Sequence, residues 1–322
     1  MSDWGSASLV SPLEGKSDGA VGGRKLTRRQ LLVEVTMPAF PIVDAHLHLW
    51  DITRLRYPWL EGIPSLNRTF LLEDFNRACE SIGVDEVVFL QCECDPDQYL
   101  EEVRWVASLA QCDSRLSGII SYAPLERGVA VADELAALAE QKLVKGIRRI
   151  IQFEPDPEFC LRPDFIQGVC LLPEFGWTFD ICISQAQMAS TIRFVAQCPD
   201  VRFVLDHIGK PDIRNHRQEP WRTELRELSR FPNVHCKVSS LATEADHRCW
   251  TEEDLRPFVD HVFDCFGFDR TFFGGDWPVS SQAASYSQCV ATLEGLIGRV
   301  SEGEARKLFR ENAIAFYRLE IS

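Results

Sequence analysis

Ile42-Val43-Asp44-Ala45-His46-Leu47-His48-Leu49-Trp50-Asp51 is the stretch on which the reading of this chain turns. Its branched, apolar start reads as a buried strand, and it runs into two imidazoles, His46 and His48. Side chains alternate along a strand with period two, so both histidines stand on one face. Two core histidines satisfied by their neighbours are the plain alternative. At the mouth of an apolar strand, however, such a pair is costly to bury unless partnered, and it gains a purpose if the chain builds a barrel whose strand ends carry chemistry.

From Pro41 onward short apolar runs alternate with amphipathic ones, the pattern of parallel strands joined by helices. Strands are expected over 42–49, 85–92, 116–122, 144–151, 178–183, 202–207, 234–239 and 271–274. Helices are expected over 72–82, 98–110, 131–142, 165–172, 186–197, 283–297 and 304–317, the last two completing an outer ring. Eight strand candidates separated by helical stretches fit a single (β/α)8 TIM barrel, an α/β fold filling 37–322, better than a doubly wound sheet. Neither a Gly-x-Gly-x-x-Gly nor a Gly-x-x-x-x-Gly-Lys-Ser/Thr loop competes with that reading.

The 322 residues are 45% hydrophobic and 25% charged, with a formal net charge of -14. That charge is repelled by nucleic acid and by anionic membranes. Small molecules and other proteins remain as partners, and formation of a homo-oligomer stays open. The 12 cysteines are scattered, with no signal peptide and no double Cys-x-x-Cys pattern, so reduced, mostly buried thiols in a cytoplasmic protein are expected. Cys92 and Cys94, two apart on an expected strand, admit a metal pair, although two small residues on one strand face explain them equally well and no second ligand pair is evident.

Residues 1–36 are rich in Ser and Gly and carry a basic patch, Arg24-Lys25-Leu26-Thr27-Arg28-Arg29. No apolar span there reaches membrane length, and Asp3, Glu14 and Asp18 count against a transit peptide. A flexible leader is expected, with Met37 as an alternative start, because the segment lacks the apolar surface that offsets the entropy of ordering.

The active site of a barrel lies at the carboxyl ends of its strands, and His46, His48, Arg148, His207, Lys237 and Asp276 all fall at or near those ends. Asp276 follows Phe272-Phe273-Gly274-Gly275, where two glycines let the backbone turn and the carboxylate project inward. A turn or helix-cap aspartate is the alternative. His207 leaves Phe203-Val204-Leu205 just before Ile208-Gly209-Lys210-Pro211, and an imidazole there can polarise a carbonyl or stabilise an oxyanion. Hydrogen bonding to a loop carbonyl is its bland alternative. Arg148 and Lys237 are cations in apolar strands, for which ion pairing and substrate binding are equally good reasons. Arg149 should face the helix layer, His216, His247 and His261 the solvent, and His235 the barrel interior. No Gly-x-Ser-x-Gly elbow is present.

Taken in order, Asp44-Ala45-His46-Leu47-His48-Leu49-Trp50-Asp51, Leu205-Asp206-His207-Ile208-Gly209-Lys210-Pro211 and Gly274-Gly275-Asp276-Trp277-Pro278-Val279 resemble the amidohydrolase superfamily, in particular the amidohydrolase-2 branch that holds sugar lactonases. The resemblance implies a hydrolase that opens the ester ring of an aldono-lactone such as fucono- or rhamnono-lactone, a step of carbohydrate metabolism. In it Asp276 is the general base that takes a proton from water, while His46, His48 and His207 stabilise the oxyanion. Arg148, Lys237, Tyr57 and Trp59 are the substrate-binding candidates, with the loop Arg56-Tyr57-Pro58-Trp59 suited to stacking on a polyhydroxylated ring. The resemblance further implies that no cofactor is required. Superfamily members that hold one metal firmly add a histidine from strand five, and this chain offers Asp180 and Cys182 there. A divalent metal such as zinc would take His46, His48 and Asp276, with Asp180 as a substitute oxygen ligand. A metal-dependent decarboxylase of an aromatic or muconate-type acid is the alternative enzyme, and it too is expected to have the missing histidine. A catalytically silent barrel serving as a binding or scaffold protein would have little reason to keep His46, His48, His207 and Asp276 together.

Overall fold

The structure, a computed structural model, describes residues 38–321; the leader expected over 1–36 and the alternative start at Met37 lie outside the described residues. Among the described residues eight strands follow one another around one sheet in chain order: β1 Ile42–Leu47, β2 Val84–Leu90, β3 Leu116–Ser121, β4 Val144–Ile147, β5 Thr178–Ile181, β6 Arg202–Leu205, β7 Val234–Val238 and β8 Thr271–Phe273. Neighbouring strands from β1 to β8 are parallel, and helices on one side and packed side chains on the other make their sequences nearly continuously apolar. The expected TIM barrel is the architecture found.

Each strand stops one to four residues before its expected end. The apolar runs continue past the ladder because residues such as Ile150 and Ile151 stay buried against other elements. Arg148 is consequently the first residue beyond β4 rather than a strand residue, and Cys92 and Cys94 both lie beyond β2.

The helices are α1 Leu72–Ala78, α2 Tyr99–Leu109, α3 Ala132–Ala139, α4 Pro163–Val169, α5 Met188–Val195, α6 Trp221–Leu228, α7 Glu252–Phe266, α8 Tyr286–Ile297, α9 Glu302–Arg306 and α10 Asn312–Tyr317. Two of them, α6 and α7, were not anticipated. Only Trp221, Leu225 and Leu228 of α6 are buried, a narrow stripe at helical spacing in a highly charged octet. α7 opens with Thr251, whose N–H donates to Asp254 Oδ2 at 2.7 Å, a capping box in a run of acids. His261, expected at the surface, is buried on the inner face of α7, bonded to Arg222 O at 2.7 Å and set against the Trp221 ring. His216 and His247 are exposed, and Arg149 turns outward to Glu126 at 3.2 Å.

The chain's last helical stretch does not simply complete the outer ring. After α9 a π-helical turn, Lys307–Glu311, leads into α10, which sends Phe316 and Tyr317 onto Phe272 with ring centroids 5.4 and 5.7 Å away. Together with Val43, Leu90 and Val204 these rings form the inner core of the barrel, and His235 closes on Phe316 at 4.8 Å. A larger core fills the space between sheet and helices. No helix among the described residues is long and apolar enough to cross a membrane.

Gly146 of β4 lies opposite Thr178 of β5, and a Cβ there would meet Thr178 Oγ1 at 2.2 Å and its carbonyl oxygen at 2.8 Å. Gly146→Ala must therefore part the two strands and is expected to destabilise by about 1–3 kcal/mol, read from urea unfolding. At Gly118 the nearest heavy atom is the tip of Leu319 at 3.1 Å, and Gly118→Ala is expected to cost less. Equal losses at the two positions would show that backbone approach is not what selects Gly146.

Candidate active site at the carboxyl end of the barrel

The end of β1 meets the segment that follows β8 through an isolated bridge, Leu47 with Trp277, and the barrel is closed at its upper rim by two backbone bonds. The Asp276 N–H donates to His46 O at 2.7 Å and the His48 N–H to Trp277 O at 2.8 Å. β1 carries an extra residue between Asp44, opposite Val87, and Leu47, opposite Phe89, a bulge of the kind that re-aims side chains. His46 and His48 share a face as expected, with their Nε2 atoms 3.2 Å apart. Asp44 ties the seam from behind: its carboxylate accepts from His46 N–H at 2.9 Å, Gly275 N–H at 2.7 Å and the Tyr286 hydroxyl at 3.0 Å. Burial pushes that carboxyl up to about 6.

The two glycines before Asp276 serve a different end from the expected turn. A Cβ on Gly274 would stand 2.6 Å from His46 Cβ, and one on Gly275 would stand 2.5 Å from Asp44 Oδ2. They permit close approach, and the left-handed turn is made by Asp276 itself, with φ 51. His207 (φ 53) and Ser240 (φ 55) take the same conformation after β6 and β7. Such strained backbone clusters where strand ends present working side chains.

Asp276 Oδ1 lies 3.4 Å from His46 Nε2 and 3.3 Å from His48 Nε2, while Ser240 Oγ donates to Oδ2. His48 Nδ1 donates to Leu90 O at 2.8 Å, which leaves Nε2 bare in a neutral ring. Arg148 Nη1, a donor only, is 3.1 Å from His46 Nε2, so that nitrogen is also an acceptor, while His46 Nδ1 faces both Asp206 Oδ1 at 3.5 Å and Lys237 Nζ at 3.3 Å. Burial holds His46 and His48 neutral, helped by Lys237 and Arg148 respectively. As acceptors they would lack the proton that an oxyanion needs.

Beneath His46, Lys237 is fully buried with its Nζ 2.8 Å from Asp180 Oδ2 and 2.8 Å from Asp206 Oδ1. Burial opposes the ammonium charge, but the two carboxylates outweigh it and raise the Lys237 pKa. The same contacts, Lys237 and then His46, overcome burial to keep Asp206 well below the usual carboxylate range. Lys237 is thus an ion-pair residue and not a substrate ligand. Asp180 is further bonded by the Tyr317 hydroxyl at 2.6 Å, so it is engaged below the site and is not a substitute ligand. Asp206 was not singled out from sequence, although it stands inside the quoted Leu205-Asp206-His207 motif; its signal is a carboxylate between an apolar strand and a histidine. Arg148 is buried, with Nη2 donating to Gln91 O at 2.6 Å and Nη1 3.5 Å from Asp206 Oδ2.

His207 packs on His46 with ring centroids 4.6 Å apart and pairs its Nδ1 with Ser239 Oγ at 2.9 Å; burial lowers it to about 3. The Trp221 indole holds this loop by donating to Ile208 O at 2.7 Å. Burial alone would raise the Asp276 carboxyl, yet it lies below its ordinary range, and the Ser240 hydroxyl donates to Oδ2. The aromatic loop is less available than expected. Tyr57 is buried against Trp50, so its ring is not a stacking surface, and half-buried Trp59 donates its indole N–H to Cys92 O at 2.8 Å. Cys92 sits behind His48, its Sγ 3.3 Å from both Leu49 O and Leu90 O. Neither Cys92 nor Cys94 belongs to a cluster with metal-ligand spacing among the described residues.

Two such clusters exist among the described residues, His46 with His48 and Asp276, and His46 with Asp206 and His207. In the first, three acceptor atoms with no hydrogen between them are 3.2, 3.3 and 3.4 Å apart. Ligands of a tetrahedral zinc at about 2.0–2.1 Å stand about 3.3 Å from one another, so these residues fit a small divalent ion.

Comparison with known proteins places this geometry. An amidohydrolase family model matches residues 43–319. The uncharacterized protein y4mH of Sinorhizobium fredii is 31% identical over 88% of this chain and 100% of its own length. An L-fucono-1,5-lactonase of Burkholderia ambifaria is 30% identical over 86% of this chain and 96% of its own. A crystal structure of a Burkholderia multivorans amidohydrolase with bound zinc superposes with a TM-score of 0.77 at 30% identity, covering 87% of this chain and 100% of that one. With the match spanning the whole barrel and both strand ends that carry His46, His48 and Asp276, this chain belongs to the amidohydrolase family.

Proposed function

We propose that the protein is a lactonase that opens the ester ring of a sugar lactone with water activated by Asp276. The observation that carries this reading is Asp276 Oδ1, a carboxylate oxygen facing two imidazole nitrogens at 3.3 and 3.4 Å while Oδ2 is held by Ser240. Relatives named L-fucono-1,5-lactonase, 30% identical over most of the chain, support the same substrate class.

In this reading water donates one hydrogen toward Asp276 Oδ1 and the other toward the bare Nε2 atoms, so its oxygen lone pair points at the lactone carbonyl. As the new C–O bond forms, the proton moves to Asp276 and charge gathers on the carbonyl oxygen. Arg148, fixed by Gln91 O, meets that charge with its guanidinium. His207, with Ser239 donating to Nδ1, meets it with Nε2–H. The ring C–O bond then breaks, and the proton held by Asp276 passes to the departing alkoxide, giving the hydroxy acid. Asp276→Asn is expected to lower kcat by at least ~10²-fold with little change in KM, measured on a panel of aldono-lactones with a pH indicator. Turnover equal to wild type across neutral pH would remove Asp276 from this role, and turnover of an aromatic acid with no lactone hydrolysed would favour the decarboxylase.

A zinc ion held by His46, His48 and Asp276 would supply Lewis-acid polarisation and a more acidic water. We further propose that the reaction does not depend on it. Arg148 already sets a cation 3.1 Å from His46 Nε2, and the carboxylate of strand five is committed to Lys237 and Tyr317. Protein stripped by prolonged chelation, with metal content measured, is expected to keep most of its lactonase activity. Activity that vanishes with the metal and returns with added zinc or manganese would reassign His46 and His48 as obligatory ligands.

A further inference from the structure

Two of the free thiols meet on the side of the barrel away from Asp276. Cys170 caps the C-terminal end of α4 and Cys198 lies just beyond the C-terminal end of α5. Their Sγ atoms are 3.6 Å apart although the residues are 28 positions apart in the chain. Cys170 is exposed, whereas Cys198 is buried and holds its place through the Cys198 N–H to Val195 O bond at 3.0 Å and the Asn233 amide on Cys198 O at 3.4 Å. The two sulfurs are thus already in contact, and closing to the disulfide length of about 2.05 Å is the remaining step.

We propose that Cys170 and Cys198 form an oxidant-driven disulfide site that bridges α4 and α5. Access fixes the order of events. Burial, then the neighbouring Cys170, raises the Cys198 thiol, so the exposed Cys170 reacts first. Its thiolate attacks one sulfur of a low-molecular-weight disulfide such as oxidised glutathione, expelling one thiolate and leaving a mixed disulfide. Cys198 then gives its proton to solvent and attacks Cys170 Sγ, expelling the second thiolate. Two protein thiols are oxidised by two electrons and one small disulfide is reduced to two thiols. The bridge encloses the segment containing β5 and restricts the unfolded chain. It stands near the entry to β6, where Cys198 precedes Arg202, while the proposed chemistry takes place at the other end of the strands.

The test treats the full chain, Cys170→Ser, Cys198→Ser and Cys160→Ser with excess oxidised glutathione, blocks remaining thiols, and maps cross-linked peptides by mass spectrometry without reduction. The wild type is expected to yield a Cys170–Cys198 cross-link and a melting temperature raised by roughly 5 °C, both reversed by dithiothreitol. Cys160→Ser should behave as wild type, because buried Cys160 is a neighbour of Cys198 but not the partner. In Cys198→Ser, Cys170 should stop at the glutathione adduct with no rise in melting temperature, and Cys170→Ser, altered only at an exposed thiol, should show neither product. The proposal is overturned if wild-type Cys170 also stops at the adduct, if either cysteine bridges to Cys160, or if the cross-linked chain melts where the reduced chain does.

Discussion

The hydrogen bond from the Asp276 N–H to the His46 carbonyl does two jobs with one contact. It joins the segment after the last strand to the first strand, and it sets the distance between the carboxylate and the paired imidazoles. Although it stands in the loop after β8, Asp276 is fixed by the backbone that closes the barrel, with Asp44, Gly275 and Tyr286 locking the seam from the outer side. Closure of the fold and preorganisation of the site are therefore a single requirement. The space for it comes from Gly274 and Gly275, each of which would collide with β1 if it carried a side chain.

The buried charges form the second requirement. Asp180, Asp206 and Asp276 face Lys237 and Arg148 in one connected network, three negative groups against two positive ones. Each would be expensive to bury alone, and each cation is shared, Lys237 by two carboxylates and Arg148 by Asp206 and the ring of His46. The imidazoles are kept neutral by burial and by these same cations. The excess negative charge is thus left on Asp276, the carboxylate whose Oδ1 faces the two imidazoles.

Much of this was legible in the chain. The eight apolar runs and the His46, His48, His207 and Asp276 positions could be read because strand ends in a barrel converge, whatever the details of the loops. What escaped reading has physical causes. Asp206 looks like an isolated charge until the curvature of the sheet brings β5, β6 and β7 together beneath His46, where it meets Lys237. The chemical role of His46 and His48 depends on which nitrogen carries the proton, and that is decided by Leu90 O and Arg148, 42 and 102 positions away in the sequence. Tyr57 is aromatic in sequence but structural in place, since Trp50 covers its ring. The polar helix α6 has too narrow an apolar stripe to stand out, yet its Trp221 anchors the His207 loop.

Tyr317 shows how far the site reaches along the chain. Its hydroxyl rises from α10 to Asp180, which holds Lys237, which borders His46. During synthesis all eight strands leave the ribosome before residue 317 does. Until α10 packs, Asp180 is short of one bond and Phe272 lacks the rings that cover it. The last turns of helix thus act as a molecular stopper, and a nascent chain halted short of α10 would present chaperones and proteases with a fully threaded sheet whose charged centre is still wet.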